Sequence, residues 1–142
     1  MKVNVPDFLK KLDVEKIEEY DFKYGLPGFE WIRAFMIADI SNNPLFSVLF
    51  AKDDPNISMV LMKYLPDEKT KSFFDTIKRE TKIFFNNNNC DIDIYFVAKI
   101  DKENKKFVAN YEAPVVIDRN SKTGYQIFIE KLNNKEIYER ER

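Results

Sequence analysis

The run Tyr20-Asp21-Phe22-Lys23-Tyr24-Gly25-Leu26-Pro27-Gly28-Phe29-Glu30 changes its rule halfway along. Tyr20, Phe22 and Tyr24 fall on every second residue, the period of a half-buried strand with its aromatic face inward. Gly25 begins the break. Leu26-Pro27-Gly28-Phe29 then has the chemistry of a type II turn, because proline pre-sets φ at the first central residue and glycine accepts positive φ at the second. Two of the chain's three glycines lie in this corner, so it is expected to be a fixed point from which Phe29 re-enters the protein. Gly25, Leu26, Pro27, Gly28 and Phe29 are therefore assigned a structural role, that of a turn.

On both sides of the corner the chain reads mainly as strands. Phe8 and Leu12 stand at helical spacing with Pro6 near the start, a pattern that an edge strand also fits. Arg33 to Ile40, Leu45 to Ala51 and Ser58 to Leu65 are apolar runs of strand length, separated by Ser41-Asn42-Asn43-Pro44 and Lys52-Asp53-Asp54-Pro55-Asn56. Such spacing describes an antiparallel meander, and the lack of alternation implies strands covered on both faces. From Asp67 to Phe85 the period changes. Phe73, Phe74, Ile77, Thr81 and Phe84 recur at three and four residues, which predicts an amphipathic helix over about 67–85, with Asp67 as its N-cap, covering one end of the sheet.

Asn86 to Asn89 form a linker, after which Ile92, Ile94, Phe96 and Ala98 alternate with Asp91, Asp93, Tyr95 and Val97 as a strand. Lys99 to Lys106 is a charged hairpin tip, and Phe107 to Asp118 returns as a long strand. Pro114 interrupts that strand. Proline has no N–H for the ladder, so a bulge, a bend or a sheet edge is required there. Arg119 to Gly124 is a turn and Tyr125 to Glu130 the last strand. The fold class is thus mainly β: a small antiparallel barrel-like single domain, 1–142, with one amphipathic helix and a loosely held C-terminal tail over 131–142.

Composition narrows the function. With 142 residues and 44% hydrophobic side chains, the chain can bury a core without a metal or a disulfide. Cys90 is the only cysteine, so no internal disulfide forms, and a reducing compartment suits the chain. There is no histidine, which removes histidine-based triads and the usual general base near neutral pH. The 23 basic residues against 24 acidic ones leave a net charge of -1, without the basic footprint of a direct nucleic-acid binder. No run approaches the roughly 18 apolar residues of a membrane-spanning helix. The chain reads as cytoplasmic, with no cofactor.

Taken in order, several of these segments resemble the flagellar assembly factor FliW family. The match runs through Phe22-Lys23-Tyr24-Gly25-Leu26-Pro27-Gly28-Phe29-Glu30, then Asn43-Pro44-Leu45-Phe46-Ser47-Val48-Leu49. It resumes at Val108-Ala109-Asn110-Tyr111-Glu112-Ala113-Pro114-Val115-Val116-Ile117-Asp118-Arg119 and reaches Ile129. One departure is Phe50, where the family usually carries glutamine. The resemblance implies a non-catalytic barrel-like domain, monomeric when free, with two partners: flagellin and the RNA-binding translational repressor CsrA. It further implies partner switching, in which binding to flagellin releases CsrA.

A protein that holds RNA presents basic surface, so the most acidic window of this chain, Asp13, Glu15, Glu18, Glu19 and Asp21, is the expected CsrA contact. Flagellin, through amphipathic helices, calls for an apolar groove or a strand edge, and Phe46, Val48, Tyr111, Pro114 and Val116 are the motif-matched residues. Two other readings compete. A hydrolase would need paired carboxylates such as Asp53 with Asp54 or Asp91 with Asp93, but adjacent strand residues face opposite ways and no nucleophile motif accompanies them. A small barrel binding a ligand or single-stranded nucleic acid through aromatics near Lys63 and Lys99 lacks interleaved basic and aromatic residues.

Overall fold

The protein, seen in a computed structural model, is described over residues 5–85, 90–101, 103 and 106–128. The asparagine linker 86–89, most of the hairpin tip after residue 101, the end of the last expected strand and the tail 131–142 lie outside the described residues. A 3-10 turn at Asp7–Lys11 leads into β1 (Val14–Asp21), β2 (Ala34–Ile40), β3 (Phe46–Ala51) and β4 (Ser58–Lys63). A helix, α1 (Lys71–Thr81), tightens into a second 3-10 turn at Lys82–Phe85 and is followed by β5 (Ile92–Asp101), β6 (Lys106–Asp118) and β7 (Thr123–Gln126). The seven strands form a closed ring in chain order. Every neighbour is antiparallel except where the ring shuts, at a single parallel pair between Asp21 and Thr123.

The ring has three apolar layers, and they explain why its strands do not alternate. Inside lie Tyr20, Phe35, Ile37, Leu49, Leu61, Tyr95, Val115 and Ile117, joined from the corner by Phe22 and Leu26. The intervening residues of β2 and β3, namely Met36, Ala38, Val48 and Phe50, face outward and are covered by Leu9 of the first 3-10 turn. On the other side Ile94, Phe96 and Val116 lie under Phe73, Ile77 and Phe85. The helix therefore rests along the outer wall of β5 and β6, where the sequence suggests a cover over one end. Burying a side chain such as Leu9 contributes about 1.5–3 kcal/mol, enough to make these outer layers part of the fold and not decoration.

Several local expectations shift. The strand predicted through Tyr24 stops at Asp21, and Tyr24 is 64% exposed. The cause is the turn itself: Gly25, at φ +63°, donates its N–H to Phe22 O at 2.9 Å, so the chain has already left the sheet. The Leu26–Phe29 turn forms as expected, with Phe29 N–H donating to Leu26 O at 2.7 Å and Gly28 at φ +87°. Leu26, not Phe29, is the buried anchor, since Phe29 is only half-buried and leans on Trp31.

At the N-terminus Leu9 points inward while Phe8 and Leu12 are largely exposed, because a 3-10 turn with three residues per turn presents a different face from an α-helix. Asp67 is not the N-cap; Thr70 holds that position. Asp67 Oδ1 instead accepts the N–H groups of Lys69 and Thr70 at 2.9 and 3.0 Å, while Thr70 Oγ1 accepts the Asp67 N–H at 2.9 Å. Past Thr81 the tightened turn rotates the apolar stripe, so that Phe85 is buried and Phe84 is 40% exposed. The bulge required by Pro114 is present. β6 pairs Val115 with Tyr95 but Asn110 with Val97, leaving residues 111–114 of β6 opposite one residue of β5.

Candidate functional site

One mouth of the ring is filled with charge. Asp118 ends β6 as a fully buried carboxylate that accepts hydrogen bonds from Asp91 N–H at 2.8 Å, Asn120 N–H at 3.1 Å and Ser121 Oγ at 2.7 Å. Burial pushes this carboxyl up, but the Ser121 hydroxyl and the backbone N–H groups outweigh it and hold the group below the usual range. The turn so fixed aims Arg119 into the mouth. Its Nε donates to Asp93 Oδ2 at 2.5 Å, Nη2 to the Tyr95 hydroxyl at 2.5 Å, and Nη1 to Glu18 Oε1 at 3.2 Å and the Tyr20 hydroxyl at 3.3 Å. Asp39 Oδ2 stands 3.6 Å from Nη1, and Asp39 Oδ1 accepts from Ser47 Oγ at 2.8 Å. One guanidinium thus ties β1, β2 and β5 to the end of β6.

The electrostatics follow from that geometry. Burial opposes the charge on Arg119, but Asp93 and the surrounding acceptors raise its pKa, so it stays a cation. Burial also raises both phenols, Tyr95 to about 12, and both remain neutral donors and acceptors. Glu18 is held below its ordinary value chiefly by its hydrogen bond from Lys122, with Lys16 assisting against the effect of burial. With four of its five N–H donors engaged, Arg119 braces the mouth from inside.

The expected CsrA contact divides along β1. Glu18 shares the inward face with Tyr20 and is committed to Arg119 and Lys122. Glu19 pairs with Lys52 at 2.8 Å, and Asp21 takes a two-point contact from Arg33 at 3.0 and 2.7 Å. Only Asp13 and Glu15 have no ion-pair partner among the described residues. The window is therefore a largely neutralised seam with two unmatched carboxylates at one end, not a uniformly acidic surface.

The expected flagellin residues divide by burial. Val48 lies in the outer layer under Leu9, Val116 lies under the helix, and Pro114 is buried at the bulge, where its carbonyl accepts the Ile127 N–H at 3.0 Å. Tyr111 is 40% exposed, its ring edge-on to Phe96 at 4.9 Å, and lines an apolar groove of about 300 Å³ with Leu45, Met62, Tyr64, Leu65 and Phe73. Phe46, half-buried, lies in the next cleft. That cleft, about 290 Å³, is lined by Glu15, Lys16, Asp39, Phe46, Lys63 and Arg119 among others. A residue expected for one partner and a residue expected for the other meet there, and Lys63 borders both hollows.

The carboxylates of the hydrolase reading are drawn into other contacts. Asp54 serves its own turn, accepting the Asn56 N–H at 3.3 Å, and Asp93 is taken by Arg119 and, at 3.8 Å, Lys63. Among the described residues no group of three or more metal-ligating side chains converges. Sequence reasoning passed over Arg119, Asp39 and the two tyrosines as one unit. A signal was present: Glu18 with Tyr20 and Asp93 with Tyr95 each place a carboxylate two residues before a buried tyrosine, and a strand that turns both inward needs a cation between them.

A family model described as FliW protein matches residues 7–139. The flagellar assembly factor FliW of Clostridium tetani is 27% identical over 137 residues, covering 89% of this chain and 87% of that protein. Its counterpart in Oceanobacillus iheyensis is 25% identical over 120 residues, covering 84% of this chain and 80% of the other. A crystal structure of the flagellar assembly factor FliW superposes with a TM-score of 0.60 at 19% identity, covering 81% of this chain and 79% of that one, a likeness of fold.

Proposed function

The chain belongs to the FliW family of flagellar assembly factors, and from that premise we propose that it works without catalysis, as a cytoplasmic monomer that binds either flagellin or a CsrA-type RNA-binding repressor. Binding to CsrA relieves repression of flagellin synthesis, and flagellin, once abundant, displaces CsrA. Such a loop carries information only if the two complexes disfavour one another. The observation that carries the reading is the cleft in which Glu15 and Phe46 stand together. A stable protein interface covers about 800 Å² on each partner. Two partners anchored in one cleft of about 290 Å³ would therefore overlap far beyond it.

The roles divide by chemistry. Asp13 and Glu15 supply unmatched negative charge for a basic partner, and the Tyr111 groove with Phe46 supplies apolar surface for an amphipathic helix. Competition among the purified full-length chain, flagellin and CsrA at defined low salt tests the reading. Flagellin is expected to raise the apparent Kd for CsrA in proportion to its concentration. A ternary complex of undiminished affinity, or no binding of either protein, would overturn it.

A further inference from the structure

The end of α1 carries an exposed corner that lies outside both the Tyr111 groove and the cleft of Glu15 and Phe46. Past Thr81 the chain tightens at Lys82–Phe85, and there Ile83, at 75%, is the most exposed large apolar side chain among the described residues. Phe84 beside it is exposed as well. The turn is pinned on its inner side, where Phe85 is buried and the Tyr125 hydroxyl donates to Phe84 O at 3.0 Å. The Tyr125 ring stands 5.4 Å from Phe84 and 5.9 Å from the exposed Tyr24. The helix end, the glycine corner and β7 thus meet in one apolar patch.

Cations border that patch. Lys78, Arg79 and Lys82 line a cleft of about 380 Å³ with Asp75, Cys90 and Ile92, so three positive groups face one carboxylate. Lys23 Nζ stands 5.4 Å from the Tyr24 ring centroid on the other flank. None of the four cations has an ion-pair partner among the described residues. Cations in a last helical turn complement the helix dipole, which accounts for Lys78 and Arg79. It does not account for Lys82, beyond the α-helix, or for Lys23, on another element.

We propose that this corner docks on an anionic phospholipid surface, with Ile83 and Phe84 entering the boundary between headgroups and acyl chains while Lys23, Lys78, Arg79 and Lys82 meet headgroup phosphates. Lys82, Ile83 and Phe84 are consecutive and Lys23 adjoins Tyr24, so charge and apolar surface lie side by side, as an interfacial contact requires. Two other occupants fit less well. Protein interfaces are depleted in lysine, and three of these four cations are lysines. A single-stranded nucleic acid stacks on aromatic faces, whereas the most exposed member of the patch is aliphatic. The contact is peripheral and reversible, since so few apolar side chains do not anchor a protein permanently.

The test floats the full-length chain with vesicles of phosphatidylcholine alone or mixed with phosphatidylglycerol. Binding is expected only to the mixed vesicles and is expected to weaken as salt screens the cations. Lys78→Glu with Lys82→Glu should lower partitioning about tenfold or more, since each cation near an anionic surface contributes about fivefold. Ile83→Ser should lower it by at least about threefold. All three side chains are exposed, so the unfolding midpoints should stay near that of the native chain. Equal flotation with both kinds of vesicle, no flotation with either, or full flotation of the folded variants would each overturn the proposal. Capture of oligouridylate or of an acidic leucine–glutamate peptide by these residues, without vesicle binding, would overturn it in favour of another partner. Flagellin and CsrA binding by the same variants should be unchanged, so failure of the membrane contact and failure of the partner switch are read separately.

Discussion

Phe22 and Gly124 touch where the ring closes: a Cβ built on Gly124 would stand 2.5 Å from Phe22 Cζ and 2.8 Å from Cε1. Phe22 is fully buried, so its ring has nowhere to retreat. The contact lies beside the single Asp21–Thr123 pair that joins β1 to β7. Gly124→Ala is therefore expected to destabilise the fold by about 1–3 kcal/mol through overpacking, read as a lower urea midpoint. Adding Phe22→Leu should recover part of the loss, because the smaller side chain vacates the space. Equal midpoints for Gly124→Ala and the native chain would contradict the contact.

The two glycines of the corner are predicted to differ. Gly25 has φ +63°, and a Cβ there would lie 2.5 Å from Phe29 O, a backbone atom that cannot swing away. Gly28 has φ +87° with nothing within 4 Å of the added atom. Gly28→Ala should cost only the conformational strain of a left-handed alanine, about 1–2 kcal/mol, and Gly25→Ala distinctly more. Thermal unfolding of the two variants orders them.

Those glycines also mark how far the sequence could be read. The type II turn was legible because proline and glycine each fix one dihedral locally, and the β2–β3–β4 meander was legible because turn residues punctuate it. Tyr24 and Phe29 were misplaced because periodicity says which residues alternate, not where a strand stops. In β5, Ile92, Ile94 and Phe96 read as one apolar face; in the fold they lie under the helix, while Tyr95 fills the ring. Arg119 escaped because its partners come from β1, β2 and β5, as far as 101 residues away, and local spacing carries no trace of such a meeting. Within the candidate site, charge density picked out β1 but not which of its carboxylates are already matched.

Removing the cation from the mouth should be costly. Arg119→Met would leave Asp93, Asp39 and Glu18 facing one another with only lysines nearby, and breaking a buried ion pair from one side costs about 3–5 kcal/mol. The lower end applies here, since the cluster keeps some contact with solvent. Arg119→Lys is expected to rescue little, because one ammonium cannot span the separate contacts to Asp93, Tyr95 and Glu18. Urea unfolding of both variants at neutral pH provides the comparison.

Acid should weaken the turn that aims Arg119. The folded pKa of Asp118 is depressed, so its carboxylate contributes stability above the unfolded value of about 4, and that contribution fades as pH falls through the lower folded value. Asp118→Asn cannot accept from Asp91, Asn120 and Ser121 as the carboxylate does, and a loss of about 1–3 kcal/mol is expected at pH 7. The gap between native and variant midpoints should narrow below about pH 4. A gap that widens there would reverse the sign of the argument.

Burial separates two residues that the sequence placed together as flagellin contacts. Val116 is fully buried beneath the helix, so Val116→Ala should cost roughly 2 kcal/mol of stability through the cavity it leaves. Any loss of flagellin binding should then disappear once binding is measured at a temperature where the variant is fully folded. Tyr111 stands 40% exposed on the wall of the groove, its ring against Phe96. Tyr111→Ala should leave the circular dichroism and unfolding midpoint close to native while raising the Kd for flagellin about tenfold, as truncation of an aromatic anchor in an interface does. If Tyr111→Ala instead binds at full strength and folded Val116→Ala does not, the groove is not the receptor, and the partner reaches the outer wall only by displacing the helix.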